Sequence, residues 1–461
     1  MCCGCGLDGS TLTSCKKEEK MIRRSWRSFL AGVVILSGVM TVVNAGDVYN
    51  AGATDQRTQQ IFSQSGNQLT LQLASMSCVE DSCCDGEGCT TGCADGCKPG
   101  CGDGTCGEGT CGDVCCPDYC GANLFSSFGR GGEIAVGGWV QLGYHNNVTP
   151  LSTGVNQGFS FNDHPHKLNL HQGWLYVEKI ADGSCGPDWG FRVDGVYGVD
   201  GRQTQAFGND GGVWDFQARW THGDYAFAIP QAYVDFASGD WNLRVGHFYT
   251  IAGYEVVTAP DNFFYSHALT MFNSEPFTHT GALATYSASD DLTYYAGWTL
   301  GWDTGFDSRH DGSNFIGGVS TELNDSISMT YVLTWGEFGW RGNGYAHSFV
   351  FDIAVTDRLN YVVQSDLTRT NNHDNNRHTP GKDDDVGVNQ YLLYTINDQL
   401  AAGTRIEWWK DEGESQWAAT FGVNIKPTDN IVLRPEIRHD WQLAGPNGSE
   451  TTFGIDAILT F

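Results

Sequence analysis

The chain has 461 residues, only 40% of them hydrophobic, and a formal charge of −28. That apolar content is too low for a helical membrane protein, and the charge has the wrong sign for nucleic acid, whose phosphates need clustered Lys and Arg. The 60 glycines and 12% aromatics suit a barrel-like sheet in which every second side chain meets an apolar phase.

Residues Met21 to Ala45 read MIRRSWRSFLAGVVILSGVMTVVNA. Arg23, Arg24 and Arg27 form a basic start, Phe29 to Val43 an apolar run, and Val43-Asn44-Ala45 a small-residue cleavage site. This is the layout of a secretory signal peptide. The run is shorter than the roughly 20 residues a spanning helix needs. Residues 1–45 therefore read as a leader, either with a misassigned start, Met21 being the natural one, or with a long n-region, and 46–77 as a linker. An exported chain with no further spanning helix can reside in a membrane only through strands. Hydrocarbon requires every backbone N–H and C=O to find an internal partner, which a closed barrel supplies.

The segment 78–120 holds twelve of the 17 cysteines: Cys78, Cys83, Cys84, Cys89, Cys93, Cys97, Cys101, Cys106, Cys111, Cys115, Cys116 and Cys120. Gly, Asp and Thr fill the gaps, so the segment cannot build an apolar core. In an exported protein this density points to disulfides, within the chain or to envelope neighbours. Metal binding and a low-complexity linker are the alternatives; true zinc modules pair Cys-x2-Cys units with intervening structure. Cys185 falls in a turn expected on the periplasmic side, with the N-terminal segment, and is expected to pair with one of the twelve. Thirteen thiols are an odd number, so at least one stays free or pairs with another molecule.

From Gly131 to Phe461 the chain alternates with period two between turns. Strands are expected near 131–145, 168–180, 189–199, 228–237, 241–250, 277–288, 292–302, 313–323, 327–338, 345–355, 359–369, 386–396, 400–409, 417–426, 430–441 and 450–461, with a further pair conceivable in 211–221. The last strand is clearest: Phe453, Ile455, Ala457, Leu459 and Phe461 share one face, and Thr452, Gly454, Asp456 and Thr460 the other. Acidic turns recur at Ser289-Asp290-Asp291, Asn324-Asp325, Thr356-Asp357, Asn397-Asp398 and Thr428-Asp429. Asp and Asn favour tight turns through bonds to their own backbone. Short turns alternating with longer loops predict an all-β, transmembrane, antiparallel up-and-down barrel of about 16 strands, carrying a cysteine-rich N-terminal periplasmic segment. That number is wide enough to leave an aqueous lumen. Trp298, Trp335, Trp408 and Trp441 each follow a short turn by a similar distance, as an aromatic girdle at the outer interface requires.

Two stretches and the chain end carry a resemblance. Gln231-Ala232-Tyr233-Val234-Asp235-Phe236 with Leu243-Arg244-Val245-Gly246-His247-Phe248, and Ala259-Pro260-Asp261-Asn262-Phe263-Phe264-Tyr265-Ser266 leading to Pro276-Phe277-Thr278-His279-Thr280-Gly281, resemble the OmpL-like putative β-barrel porins. The terminal Phe461 resembles the signal read by the outer-membrane barrel assembly machinery. The resemblance covers 131–461 and implies an outer-membrane diffusion channel for small hydrophilic solutes or ions. It implies lipid contact, with a homotrimer as one expected assembly, and names no solute. The cysteine-rich segment departs from the porin pattern.

A passive pore needs a constriction and charges that set selectivity. The loop Ile251 to Glu275 follows the fifth strand, the place from which a porin's third external loop folds inward. It carries Glu255, Asp261, His267 and Glu275, an acidic constriction if it does so. Inward-phase wall positions hold Arg192, Arg244, Arg405, Arg434 and Arg438 with Asp194, Asp366, Glu407 and Glu436. These either set a transverse field or pair to stiffen the wall. His164, His166 and His171 form a weak metal pattern, and the polar loop Asn371 to Asp385 reads as solvated; no cofactor or resident metal is expected. No Gly-x-Ser-x-Gly motif or credible Ser/His pairing is present, so no enzyme is expected. The competing reading is a structural outer-membrane anchor cross-linked through the cysteines.

Overall fold

The computed structural model describes residues 134–146, 161–184, 186–207, 214–215, 221–307, 310–371, 383–411, 413–442 and 449–461. The expected leader and linker, segment 78–120 and Cys185 lie outside those residues, as do 131–133 of the expected first strand and most of the polar loop 371–385.

The strands are β1 (Ala135–His145), β2 (Leu168–Lys179), β3 (Asp188–Gly198), the two-residue β4 (Thr221–His222), β5 (Tyr225–Ser238), β6 (Trp241–Tyr249), β7 (Thr278–Ser289) and β8 (Leu292–Thr299). They continue as β9 (Ser313–Asn324), β10 (Ile327–Glu337), β11 (Asn343–Thr356), β12 (Leu359–Thr370), β13 (Asp383–Asn397), β14 (Leu400–Asp411), β15 (Glu414–Thr428), β16 (Ile431–Gln442) and β17 (Ser449–Thr460). Apart from β4, which among the described residues pairs only with the start of β5, these are the staves of a closed antiparallel barrel. Each pairs with its sequence neighbour, and β1 closes on β17 with Trp139 opposite Thr460 and His145 opposite Gly454. Phe461 extends the seam, exchanging backbone bonds with Gly138 at 2.9 and 3.0 Å.

Alternation decides which way each stave faces. On β17, Phe453, Ile455 and Leu459 are exposed, while Thr452, Asp456 and Ile458 are buried. On β16, Ile437 and Trp441 are exposed, while Arg434, Glu436 and Arg438 are buried. The apolar face meets lipid and the charged face lines the interior, which only a barrel with a polar inside can hold.

Three local features differ from the sequence reading. β8 stops at Thr299 because Gly301, at φ 108°, turns the chain and lays Trp302 on Phe338 with ring centroids 4.5 Å apart. β14 and β15 run further outward than expected, pairing Asp411 with Glu414 across a turn that uses Gly413 at φ 103°. Of the conceivable extra pair in 211–221, the described residues show only β4 at its end.

Candidate functional site

Apart from the turn between β14 and β15, the tight turns lie on one side with the start of β1 and the end of β17, and the longer connections on the other. The connection between β6 and β7 does not stay there. It contains a 3-10 turn at Ala259–Asp261 and a short helix α2 (Leu269–Asn273), and its bonds reach inward-facing residues of strands far from β6 and β7. Gln172 of β2 donates to Val257 O at 2.7 Å and accepts from Ala259 N at 3.1 Å. Arg434 of β16 donates to Asn262 O at 2.7 Å and Ala259 O at 2.9 Å. Glu436 accepts from the Tyr265 and Ser266 amides at 2.9 and 3.1 Å. Gln364 of β12 accepts from Tyr254 N at 3.1 Å. A segment bonded at once to β2, β12 and β16 from inside must cross the lumen.

Arg405 of β14 is the largest anchor. It is fully buried and donates to Glu255 Oε1, to Glu407 Oε1 and to Ser266 O at 2.6, 2.6 and 2.7 Å. Its guanidinium also lies 5.1 Å from the centre of the Phe264 ring. Arg438 joins this group through Glu407 at 3.2 Å and His267 O at 2.8 Å. His267 Nδ1 lies 3.6 Å from Glu255. Burial raises the Glu255 carboxyl, but Arg405, His267 and the Ala268 amide outweigh it and hold the group down at about 2. Charge pairs buried this deeply need such geometry to offset their desolvation.

The remaining wall residues also pair. Arg192 bonds Asp194 at 2.7 Å and Glu178 at 3.0 Å. Arg244 bonds Asp235 at 2.9 Å and stacks 3.8 Å from the Tyr233 ring centre. Arg434 bonds Asp456 at 3.0 Å. Asp261 takes the Thr258 hydroxyl at 2.5 Å. Glu275 and Asp366 both accept from Gln364 Nε2.

A family model described as putative beta-barrel porin-2, OmpL-like, matches residues 133–461. The chain belongs to that family. It is an outer-membrane barrel of the porin type. No curated protein matches it. Among solved structures, it is similar to in-vitro folded OmpT, an outer-membrane protein of Vibrio cholerae, at 10% identity over 71% of this chain and 99% of that one, TM-score 0.47. It is likewise similar to a triple mutant of the Rhodopseudomonas blastica porin, at 14% identity over 71% and 100%, TM-score 0.46.

His164 and His171 of the weak metal pattern are engaged separately in the porin. His164 pairs with Asp163 and, at 3.2 Å, with Asp224. His171 bonds Asp200 at 2.7 Å and the Tyr265 hydroxyl at 2.6 Å. Asp200 belongs to a second short helix, α1 (Val199–Thr204), so the connection after β3 also reaches the inner wall.

On the outer face, Trp298, Trp335 and Trp441 are exposed and Trp408 is half-buried. Register links Trp298 to Phe315, Phe315 to Trp335 and Trp335 to Tyr345, and separately Trp408 to Trp417 and Trp417 to Trp441. Sequence reasoning missed Phe315, Tyr345 and Trp417, although each holds a lipid-phase position next to a strand end. It also missed Gln172 and Gln364, whose signal is an amide at an inward-phase position in mid-strand.

Proposed function

We propose that this porin passes small hydrophilic solutes or ions by passive diffusion through a water-filled barrel narrowed by the loop Ile251 to Glu275, and that it performs no chemistry on them. The supporting observation is the course of that loop across the lumen, held by Arg405, Arg434, Glu436, Gln172 and Gln364. Glu255, Asp261, His267 and Glu275 sit on the narrowing element. Because Arg405 matches Glu255, the cation preference is weaker than a bare count of the loop's acids implies. The lipid-facing aromatic rows are consistent with outer-membrane residence, with Phe461 serving the assembly machinery. A homotrimer suits the family reading. Cys185 tethers the cysteine-rich segment beneath the pore by a disulfide, which thiol labelling with and without reductant tests: a freely labelled Cys185 in oxidised protein removes the tether.

The test of transport is single-channel conductance of the refolded mature protein in a planar bilayer across a salt gradient. Steady ohmic steps with a modest cation-selective reversal potential are expected. Silence from a demonstrably folded barrel transfers the function to an envelope anchor cross-linked through its cysteines.

A further inference from the structure

Among the described residues, nearly every buried acid has a basic or backbone N–H partner. Asp194, Asp235, Asp385, Asp456, Glu255 and Glu407 meet arginines. Asp200 meets His171, Asp215 takes the amides of Ala206 and Ile229, and Glu436 takes those of Tyr265 and Ser266. Glu275, at the end of the inner loop, and Asp366, on β12, are the exception. They are 7% and 1% exposed, and the donor they share is the neutral carboxamide of Gln364.

Oxygen acceptors gather around this pair. Ser348 is directly opposite Asp366 across the β11–β12 register, and Asn389 directly opposite Gln364 across β12–β13. Both face inward and are 4% and 0% exposed. Asn389 Oδ1 is buried without a hydrogen bond, and the Ser348 hydroxyl is directed at the Asp366 carboxyl. The Asn389 amide nitrogen is already used on Thr270 Oγ1, at 2.5 Å, which leaves the carbonyl oxygen for another partner. Two carboxylates, a hydroxyl and an amide oxygen make a hard, oxygen-only donor set of the kind that calcium takes.

We propose that Glu275, Asp366, Ser348 and Asn389 form a divalent-cation site that fastens the end of the inner loop to the barrel wall. The cation supplies here the positive charge that arginine supplies elsewhere along the wall. Without it, two buried carboxylates meet across one neutral carboxamide, both accepting from Gln364 Nε2. The inference concerns the loop's attachment and does not depend on what the pore conducts.

The experiment is thermal unfolding of the full refolded chain in detergent with Ca2+ or with chelator, paired with Tb3+ luminescence. Trp409 donates its indole N–H to Ser274 Oγ at 3.0 Å, beside Glu275, and so serves as the sensitiser. Expected are a Ca2+-dependent rise in Tm of several degrees and sensitised Tb3+ emission displaced by Ca2+. Asp366→Asn abolishes both, and Asn389→Leu, which keeps the carboxylate pair intact, weakens the apparent affinity about tenfold or more. Any response that survives unchanged in both variants belongs to other groups, such as the cysteine-rich segment, and overturns the proposal. So does a folded wild-type barrel with no Ca2+ response.

Discussion

Arg405 on the barrel wall donates through Nη1 to Glu255 of the inner loop at 2.6 Å, and the same guanidinium holds Ser266 O eleven residues further along. One wall side chain therefore fixes both limbs of the loop. Replacing it by alanine takes the arginine from buried Glu255 and leaves Glu407 with Arg438 alone, a change that costs about 3–5 kcal/mol in such settings. Arg405→Ala is expected to lower the urea midpoint and to give larger, noisier conductance steps. Unchanged steps would mean that the backbone contacts to Arg434 and Glu436 hold the loop without it.

The same ion pair sets a pH window. The folded-state Glu255 carboxyl lies at about 2, below its ordinary 4.5. A depressed acid contributes stability that is present above the ordinary value and lost as pH falls through the folded one. Loop attachment should therefore weaken between pH 4.5 and about 2. Unfolding midpoints measured across that interval should fall more steeply for the wild type than for Glu255→Gln. Parallel curves would assign the acid sensitivity to other carboxylates.

Gly253 makes the loop's return possible. Its φ is 87°, and a Cβ placed there would lie 1.8 Å from Glu275 Oε2. Side chains rarely adopt that conformation, which costs about 1–3 kcal/mol for a non-glycine residue, and the carboxylate would also be displaced. Gly253→Ala is expected to destabilise the porin and to weaken Ca2+ stabilisation, whereas Gly223→Ala, at φ 66° with open space around it, should show only the backbone cost. Equal effects on Ca2+ response at the two positions would argue against the packing account.

The staves were legible because period-two alternation and Asp/Asn turns are local. Fifteen-residue β13 and β15 merely extend a few residues beyond their apolar cores, as cross-strand pairing overrides weak end signals. The inward phase of Arg405, Arg434 and Arg438 followed from the same alternation. Their partners did not. Arg405 and Glu255 are 150 positions apart, and nothing local to either records that the loop crosses the lumen. The union of Glu275 with Asp366 likewise depends on that crossing. Phe315, Tyr345 and Trp417 were hidden for a different reason: the distance of a tryptophan from its turn carries no information about the residue directly across the strand pair.

That cross-strand row makes the last prediction. Trp417 lies between Trp408 and Trp441 in register, and Trp417 and Trp441 are 41% and 40% exposed on the apolar face. Interfacial aromatics place an apolar ring in the acyl region and the indole N–H toward water, so their contribution depends on the surrounding phase. Trp441→Ala should cost on the order of 2 kcal/mol in phospholipid vesicles and clearly less in a short-chain detergent micelle, as read from unfolding midpoints in both. Trp409, next to Trp408 on β14 but inward-facing and bonded to Ser274, supplies the contrast: its loss should destabilise the barrel to the same degree in either medium. If Trp441→Ala behaved like Trp409→Ala, the outer row would be packing against protein rather than marking the level of the membrane interface.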